Sequence, residues 1–290
     1  MPPKADAAET TAPPPAAVSK SAPALYVIGA SVSGGFVDGP LTGGESGNST
    51  ISLVRLLRAW LRDAGGKVSS QPEMLMIGMF EAPEETGARQ VAAANKQHAA
   101  QVVAIDFLFW YLYGRRSGTG DERTERLEKF ERGLEQLALL DADLLVGDVA
   151  DMHGAAARML SPSWIPDAAI LQAANDRLRA WAKVLPRVHV FPLAEQVARM
   201  RKDGVKLGLQ HGEVKAAPAQ LLQGDHLHAT RLGMAYLGFE LQQFCDRELQ
   251  AGQPLHGRGW KLEDFVTAAG ADDEVAALPG AAVTVPGKDK

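Results

Sequence analysis

The 290-residue chain has one cysteine, Cys245, so no disulfide can close within it. That suits a reducing compartment, and Cys245 falls in an apolar helical pattern, as a small core residue does. Lysine and arginine number 30 against 35 aspartates and glutamates, for a net charge of -5. No basic run stands out, so nothing electrostatic favours nucleic acid. No apolar run reaches the roughly 18 residues that a membrane-spanning helix requires. Neither the Gly-x-Gly-x-x-Gly turn nor the P-loop lysine pattern occurs, which weakens a nucleotide-binding reading. Residues 1–22 are rich in alanine and proline but lack an apolar stretch. They read as a disordered leader rather than a secretory signal, and the expected location is cytoplasmic.

What is present is an ordinary apolar content of 46% and enough length for a sizeable core. Apolar runs predict strands at 25–29, 73–79, 101–107, 143–147 and 187–191. Helical spacing predicts helices over 51–65, 84–99, 123–140, 166–184 and 193–202. A further helix follows Thr230, a candidate N-cap. Strand and helix alternate, which predicts a parallel sheet covered by helices on both faces. The glycine-rich stretch 34–48 and the segment 203–224 read as loops, the first of them mobile. The main domain is expected over 23–250. Residues 251–290 read as a mostly flexible extension, with Trp260-Lys261-Leu262-Glu263-Asp264-Phe265 its one hint of docking.

Two motifs carry chemistry. Gly29-Ala30-Ser31-Val32-Ser33-Gly34-Gly35 follows the first strand, at the edge where open α/β sheets build their sites. A serine hydroxyl is a weak nucleophile until a base takes its proton. Asp225-His226-Leu227-His228 offers that base. An aspartate three residues before a histidine can accept from Nδ1–H, fixing the tautomer and stabilising the imidazolium. The spacing selects His228 rather than His226, so the expected order is Ser31, Asp225, His228. Asp148, Asp151 and His153 lack further histidine or cysteine neighbours, so no metal site is expected there. The aromatic run 107–113 is either core or the wall of an acyl pocket.

Together these motifs resemble the first and last blocks of the SGNH (GDSL-type) hydrolases, Gly-Asp-Ser-x-Ser and Asp-x-x-His-Pro-Thr with a nearby glycine. Here they stand as Gly29-Ala30-Ser31-Val32-Ser33 and Asp225-His226-Leu227-His228-Ala229-Thr230, with Gly233 following. The resemblance spans about 25–250. It implies a flavodoxin-like three-layer α/β/α fold with a five-stranded parallel sheet. It also implies a Ser-His-Asp hydrolase of small-molecule carboxylic esters, acetyl esters among them, with no cofactor. Backbone N–H groups around Ser31, including that of Val32, are expected to help bind the oxyanion. The family's oxyanion glycine falls on Gly78 or Gly87. Two departures stand out: Ala30 replaces the aspartate of the first block, and Asp106-Phe107-Leu108-Phe109-Trp110 stands where Gly-x-Asn-Asp is usual. Losing one oxyanion donor costs about 2.7–4 kcal/mol of transition-state stabilisation. N–H groups near Asp106 or Gly114, or the more distant Asn48, are the candidate replacements. Asp106 itself either binds a substrate hydroxyl, braces the serine loop, or caps local N–H groups. The alternatives to a hydrolase are a catalytically degenerate binding protein of the same fold and a flavodoxin-like nucleotide-binding module.

Overall fold

A computed structural model describes residues 24–280, except 45, 72–77, 117 and 119; the expected leader lies outside them. The chain begins with β1 (Ala24–Val27), α1 (Ser31–Gly34), α2 (Leu53–Leu61), β2 (Lys67–Ser70), α3 (Met79–Glu81) and α4 (Pro83–Lys96). It continues through β3 (Gln101–Ala104), α5 (Phe109–Leu112), α6 (Glu122–Ala138), β4 (Asp143–Gly147), α7 (Ala168–Lys183), β5 (Val188–Phe191) and α8 (Leu193–Lys202). Then come β6 (Val205–Leu209), β7 (Gly212–Ala216), α9 (Pro218–Leu221), α10 (Arg231–Glu248), α11 (Leu262–Ala269) and α12 (Asp272–Ala276).

Five strands form one parallel sheet in the order β2-β1-β3-β4-β5. The central strands are unbroken apolar runs because both faces are covered: Leu25–Ile28, Val102–Ala104 and Leu144–Val146 are all buried. Helices α4, α5, α6 and α7 pack together on one face, and α2, α10 and α11 on the other. The result is a three-layer α/β/α fold. From β1 the chain moves outward to β2, then crosses back to β3 on the other side of β1. The carboxyl ends of β1 and β3 therefore flank the switch point of strand order, where such sheets open a crevice.

Three segments differ from the sequence expectations. A strand at Lys67–Ser70, which the sequence reading did not include, pairs with β1 as Leu25↔Val68 and Tyr26↔Ser69. Of the expected strand 73–79, residues 73–77 lie outside the described residues, and Met79 is helical. The supposed loop 203–224 holds an antiparallel hairpin, β6 with β7, and the short α9. Past residue 250, α11 docks on α2 and α10: Phe265 is fully buried, its ring 5.3 Å from that of Trp60. Among the described residues no helix is long and apolar enough to cross a membrane.

Candidate active site

The serine turn is shaped by what lies under it. Gly29 has φ of 147°, and a Cβ there would stand 2.1 Å from Asp106 Oδ1, so only glycine fits. Its N–H donates to Gln90 Oε1 at 2.8 Å and its carbonyl accepts from Gln90 Nε2 at 2.9 Å. The chain then turns into α1 at Ser31. Asp106, at the end of β3, reaches across to cap that helix. Its carboxylate accepts the N–H of Val32 (2.7 Å) and of Ser33 (3.2 Å), and the Ser33 hydroxyl (2.6 Å). Burial pushes the Asp106 carboxyl above the usual range, while those bonds pull the other way.

The histidine turn is built from Asp225. Its Oδ1 accepts the N–H of Leu227 (2.9 Å) and of His228 (3.0 Å). His226, exposed and left-handed at φ of 55°, makes the bend that allows this. Oδ2 faces His228 Nδ1 at 2.6 Å. An ionised carboxylate only accepts, so Nδ1 carries the proton and Nε2 is left as an acceptor. Nε2 lies 3.0 Å from Ser31 Oγ. Burial alone would raise the Asp225 carboxyl, but the His228 ring and the two backbone N–H groups outweigh it and hold it below the usual range. Thr230 caps α10, its hydroxyl oxygen accepting from the Gly233 N–H at 3.0 Å, which fixes where the turn ends.

The glycine-rich loop is tied down over this pair. The side chain of buried Gln223 accepts from the Asp38 N–H (2.8 Å) and donates to the carbonyls of Phe36 (2.9 Å) and Ala229 (2.8 Å). Asp38 is fully buried and takes both terminal nitrogens of Arg158, at 2.7 and 2.6 Å. Asn48 Nδ2 donates to the Asp38 carbonyl at 2.7 Å. The glycines give this loop its bends, and buried polar bonds hold it in place.

Two cavities meet at Ser31. One is a cleft of about 320 Å³ walled by Phe36, Phe80, Trp110, Met159 and Leu227, with His228 on its edge. The other is a slot of about 50 Å³ running into the switch-point crevice between β1, β3 and β4. The aromatic run divides its labour: Phe107, Tyr111 and Tyr113 are core, whereas Phe109 and Trp110 line the slot.

The structure thus brings Ser31, Asp225 and His228 together and places Asp106 beneath the serine turn as its brace. Val32 lines the slot, but its N–H is taken by Asp106 and is not offered to an oxyanion. Gly87 lies inside α4 against Tyr111, Gln136 and Phe107, and does not line either cavity. Gly78 precedes Phe80 of the cleft wall, and its carbonyl accepts the Thr86 hydroxyl at 2.9 Å. Gly114 N–H and the Asn48 side chain are committed elsewhere, to the Trp164 and Asp38 carbonyls. Asp148 serves α8, accepting the Ala194 N–H at 2.7 Å and pairing with Arg179 at 2.7 Å. Asp151 and His153 form an exposed pair, and no group of three metal-ligating side chains occurs among the described residues. Cys245 is buried, which pushes its thiol up and away from nucleophile chemistry. The turn is also a poor phosphate cradle, since two of its N–H groups are spent on Asp106. Sequence reasoning missed Gln223, Gln90, Phe36 and the Asp38–Arg158 pair. A glutamine two residues before Asp225 carries no local signal, because two of its three partners, Phe36 and Asp38, are distant in the chain.

No protein-family model matches the chain, and no curated protein matches it in sequence. Among solved structures, it is similar to a lipase/acylhydrolase from Enterococcus faecalis at 16% identity and a TM-score of 0.46, over 80% of this chain and 99% of that one. It is also similar to a GDSL-like lipase from Bacteroides thetaiotaomicron at 14% identity and a TM-score of 0.41, over 78% of this chain and 89% of that one.

Proposed function

We propose that the protein is a serine hydrolase of carboxylic esters, with Ser31 as nucleophile, His228 as general base and acid, and Asp225 as its orienting partner. One observation carries the reading: the His228 ring spans Asp225 Oδ2 at 2.6 Å and Ser31 Oγ at 3.0 Å, one nitrogen to each. Ser31 Oγ attacks the ester carbonyl while its proton passes to Nε2. The imidazolium is stabilised by the Asp225 carboxylate against Nδ1–H. Negative charge moves onto the former carbonyl oxygen. The N–H of Ser31, which is not among the donors to Asp106, is the group this reading assigns to that charge. Collapse breaks the carbon–oxygen bond to the alcohol, which takes the proton from Nε2. Water then repeats the sequence on the acyl-serine, releasing the acid and restoring Ser31. No cofactor enters these steps.

The test is cleavage of p-nitrophenyl acetate with labelling by a fluorophosphonate probe. Wild type is expected to hydrolyse the ester and take the label on Ser31. Ser31→Ala should lose both, and full activity in that variant refutes the mechanism. A rival reading, a binding protein with a silent site, is favoured by the commitment of Val32 N–H and Asn48 to other partners. That reading requires Ser31 to stay unlabelled in the wild type.

A further inference from the structure

Two apolar cavities share Ser31, but only one of them touches the histidine. The 320 Å³ cleft is lined by Ser31 and His228 together, and the 50 Å³ slot by Ser31 without His228. This asymmetry assigns the two halves of an ester. The leaving alcohol must receive its proton from His228 Nε2, so it lies on the His228 side. The acyl group then points the other way, into the slot.

The slot is small. An apolar cavity of about 150 Å³ takes the six carbons of benzene, so one of about 50 Å³ has room for about two. Its walls include Ile105, Phe109, Val149, Met152, Val197 and Leu237, and its two bordering carboxylates are engaged. Asp106 is held by the serine turn, and Asp148 by Arg179 and the Ala194 N–H. The cleft is roomier and equally apolar. Among the described residues its one further polar side chain besides Ser31 and His228 is Thr42, whose hydroxyl proton has the Gly39 carbonyl at 2.8 Å and Asp38 Oδ1 at 3.0 Å to choose between, while its oxygen accepts the Gly39 N–H at 3.0 Å. Among the described residues, neither cavity has a charged side chain free to bind an anion or an ammonium group.

We propose, resting on the hydrolase reading above, that the substrate is an acetyl or propionyl ester of a bulky, uncharged, aromatic or otherwise apolar alcohol. The slot measures the acyl chain and the cleft receives the alcohol. Trp110, which lines both, separates the two compartments.

The experiment is a kcat/KM series over p-nitrophenyl acetate, propionate, butyrate and octanoate, together with ethyl acetate and 2-naphthyl acetate. Wild type is expected to drop at least tenfold between acetate and butyrate, and to prefer naphthyl over ethyl acetate. Met152→Ala and Val197→Ala enlarge the slot, and each should raise the butyrate-to-acetate ratio at least fivefold. Phe80 is 47% exposed, so Phe80→Ala trims the cleft with little risk to the fold. It should raise KM for naphthyl acetate by a larger factor than KM for ethyl acetate. Octanoate cleaved as fast as acetate by wild type, or ratios unmoved in both slot variants, overturns the assignment and leaves the serine chemistry standing. Cleavage of none of the esters overturns both.

Discussion

Phe36 lies against the His228 ring, centroids 4.4 Å apart and planes tilted by 30°. The imidazole is therefore held by a carboxylate at one end and an aromatic face along its side. Phe36 owes its place to Gln223, which accepts from Asp38 and donates to the Phe36 and Ala229 carbonyls. On the proposed mechanism, Phe36→Ala should cost about tenfold in kcat/KM, roughly 1.4 kcal/mol, because the His228 ring is held less tightly. Gln223→Leu keeps the volume but removes the partner of three backbone groups, two of them in buried bonds, at about 1–3 kcal/mol for each group left buried and unpaired. The expected outcome is about 3 kcal/mol less stability in urea denaturation and a deeper loss of activity than in Phe36→Ala. Equal activity in the two variants would break the link between this glutamine and the base.

Asp106 allows a sharper distinction between bracing and chemistry. An asparagine can place its oxygen where Oδ2 accepts the Val32 and Ser33 N–H groups. Its amide nitrogen then donates to the Ser33 oxygen, and the Ser33 proton turns to the Ile28 carbonyl at 3.3 Å. Asp106→Asn should therefore keep activity within about tenfold, or ~1.4 kcal/mol. Asp106→Ala leaves two helix N–H groups unpaired and should cost about 2–3 kcal/mol of stability. Inactive, well-folded Asp106→Asn would mean that the carboxylate takes part in the reaction itself.

Asp225 gives the site a pH signature. Its folded pKa is depressed, so in the window between that value and the unfolded one, near 3.9, the unfolded chain binds more protons. Stability from this group is present above the unfolded value and is lost as pH falls through the folded one. Asp225→Asn cannot supply it at any pH. The stability gap between wild type and Asp225→Asn should thus be largest near neutrality and shrink below about pH 4. Chemical denaturation at pH 7 and pH 3.5 checks this, and a gap that widens on acidification contradicts it.

These groups differ in how far the sequence exposes them. The juxtaposition of Ser31 and His228 is legible because each sits in a short local pattern, a serine after an apolar strand and a histidine three residues past an aspartate. The edge strand β2 is not, since only Val68 of Lys67–Ser70 is buried and so no apolar run marks it. The β6–β7 hairpin, read as a loop from sequence, carries a period of two that the surrounding glycines obscure: Val205 and Leu207 are buried and Lys206 and Gly208 exposed. Asp106 could be listed with three roles but not assigned one, because the donors that decide it lie more than seventy residues earlier. Long-range polar bonds leave no periodic trace.

The chain beyond residue 250 offers the last test. Phe265 is fully buried on α11, its ring 5.3 Å from Trp60, 5.1 Å from Trp260 and 6.4 Å from Phe239. It closes the outer side of α2 and α10, and α10 directly follows the turn that carries His228. On α10, Gly238 provides the space: a Cβ there would meet the Phe265 ring at 2.8 Å. Removing so large a side chain from a packed site costs about 3–5 kcal/mol. Phe265→Ala should lower stability by that amount, and a chain ending at residue 250 should expose Trp60 to solvent. Tryptophan fluorescence would then shift to longer wavelength. A truncated protein with wild-type stability and unshifted emission would show that α11 rests on the core without supporting it.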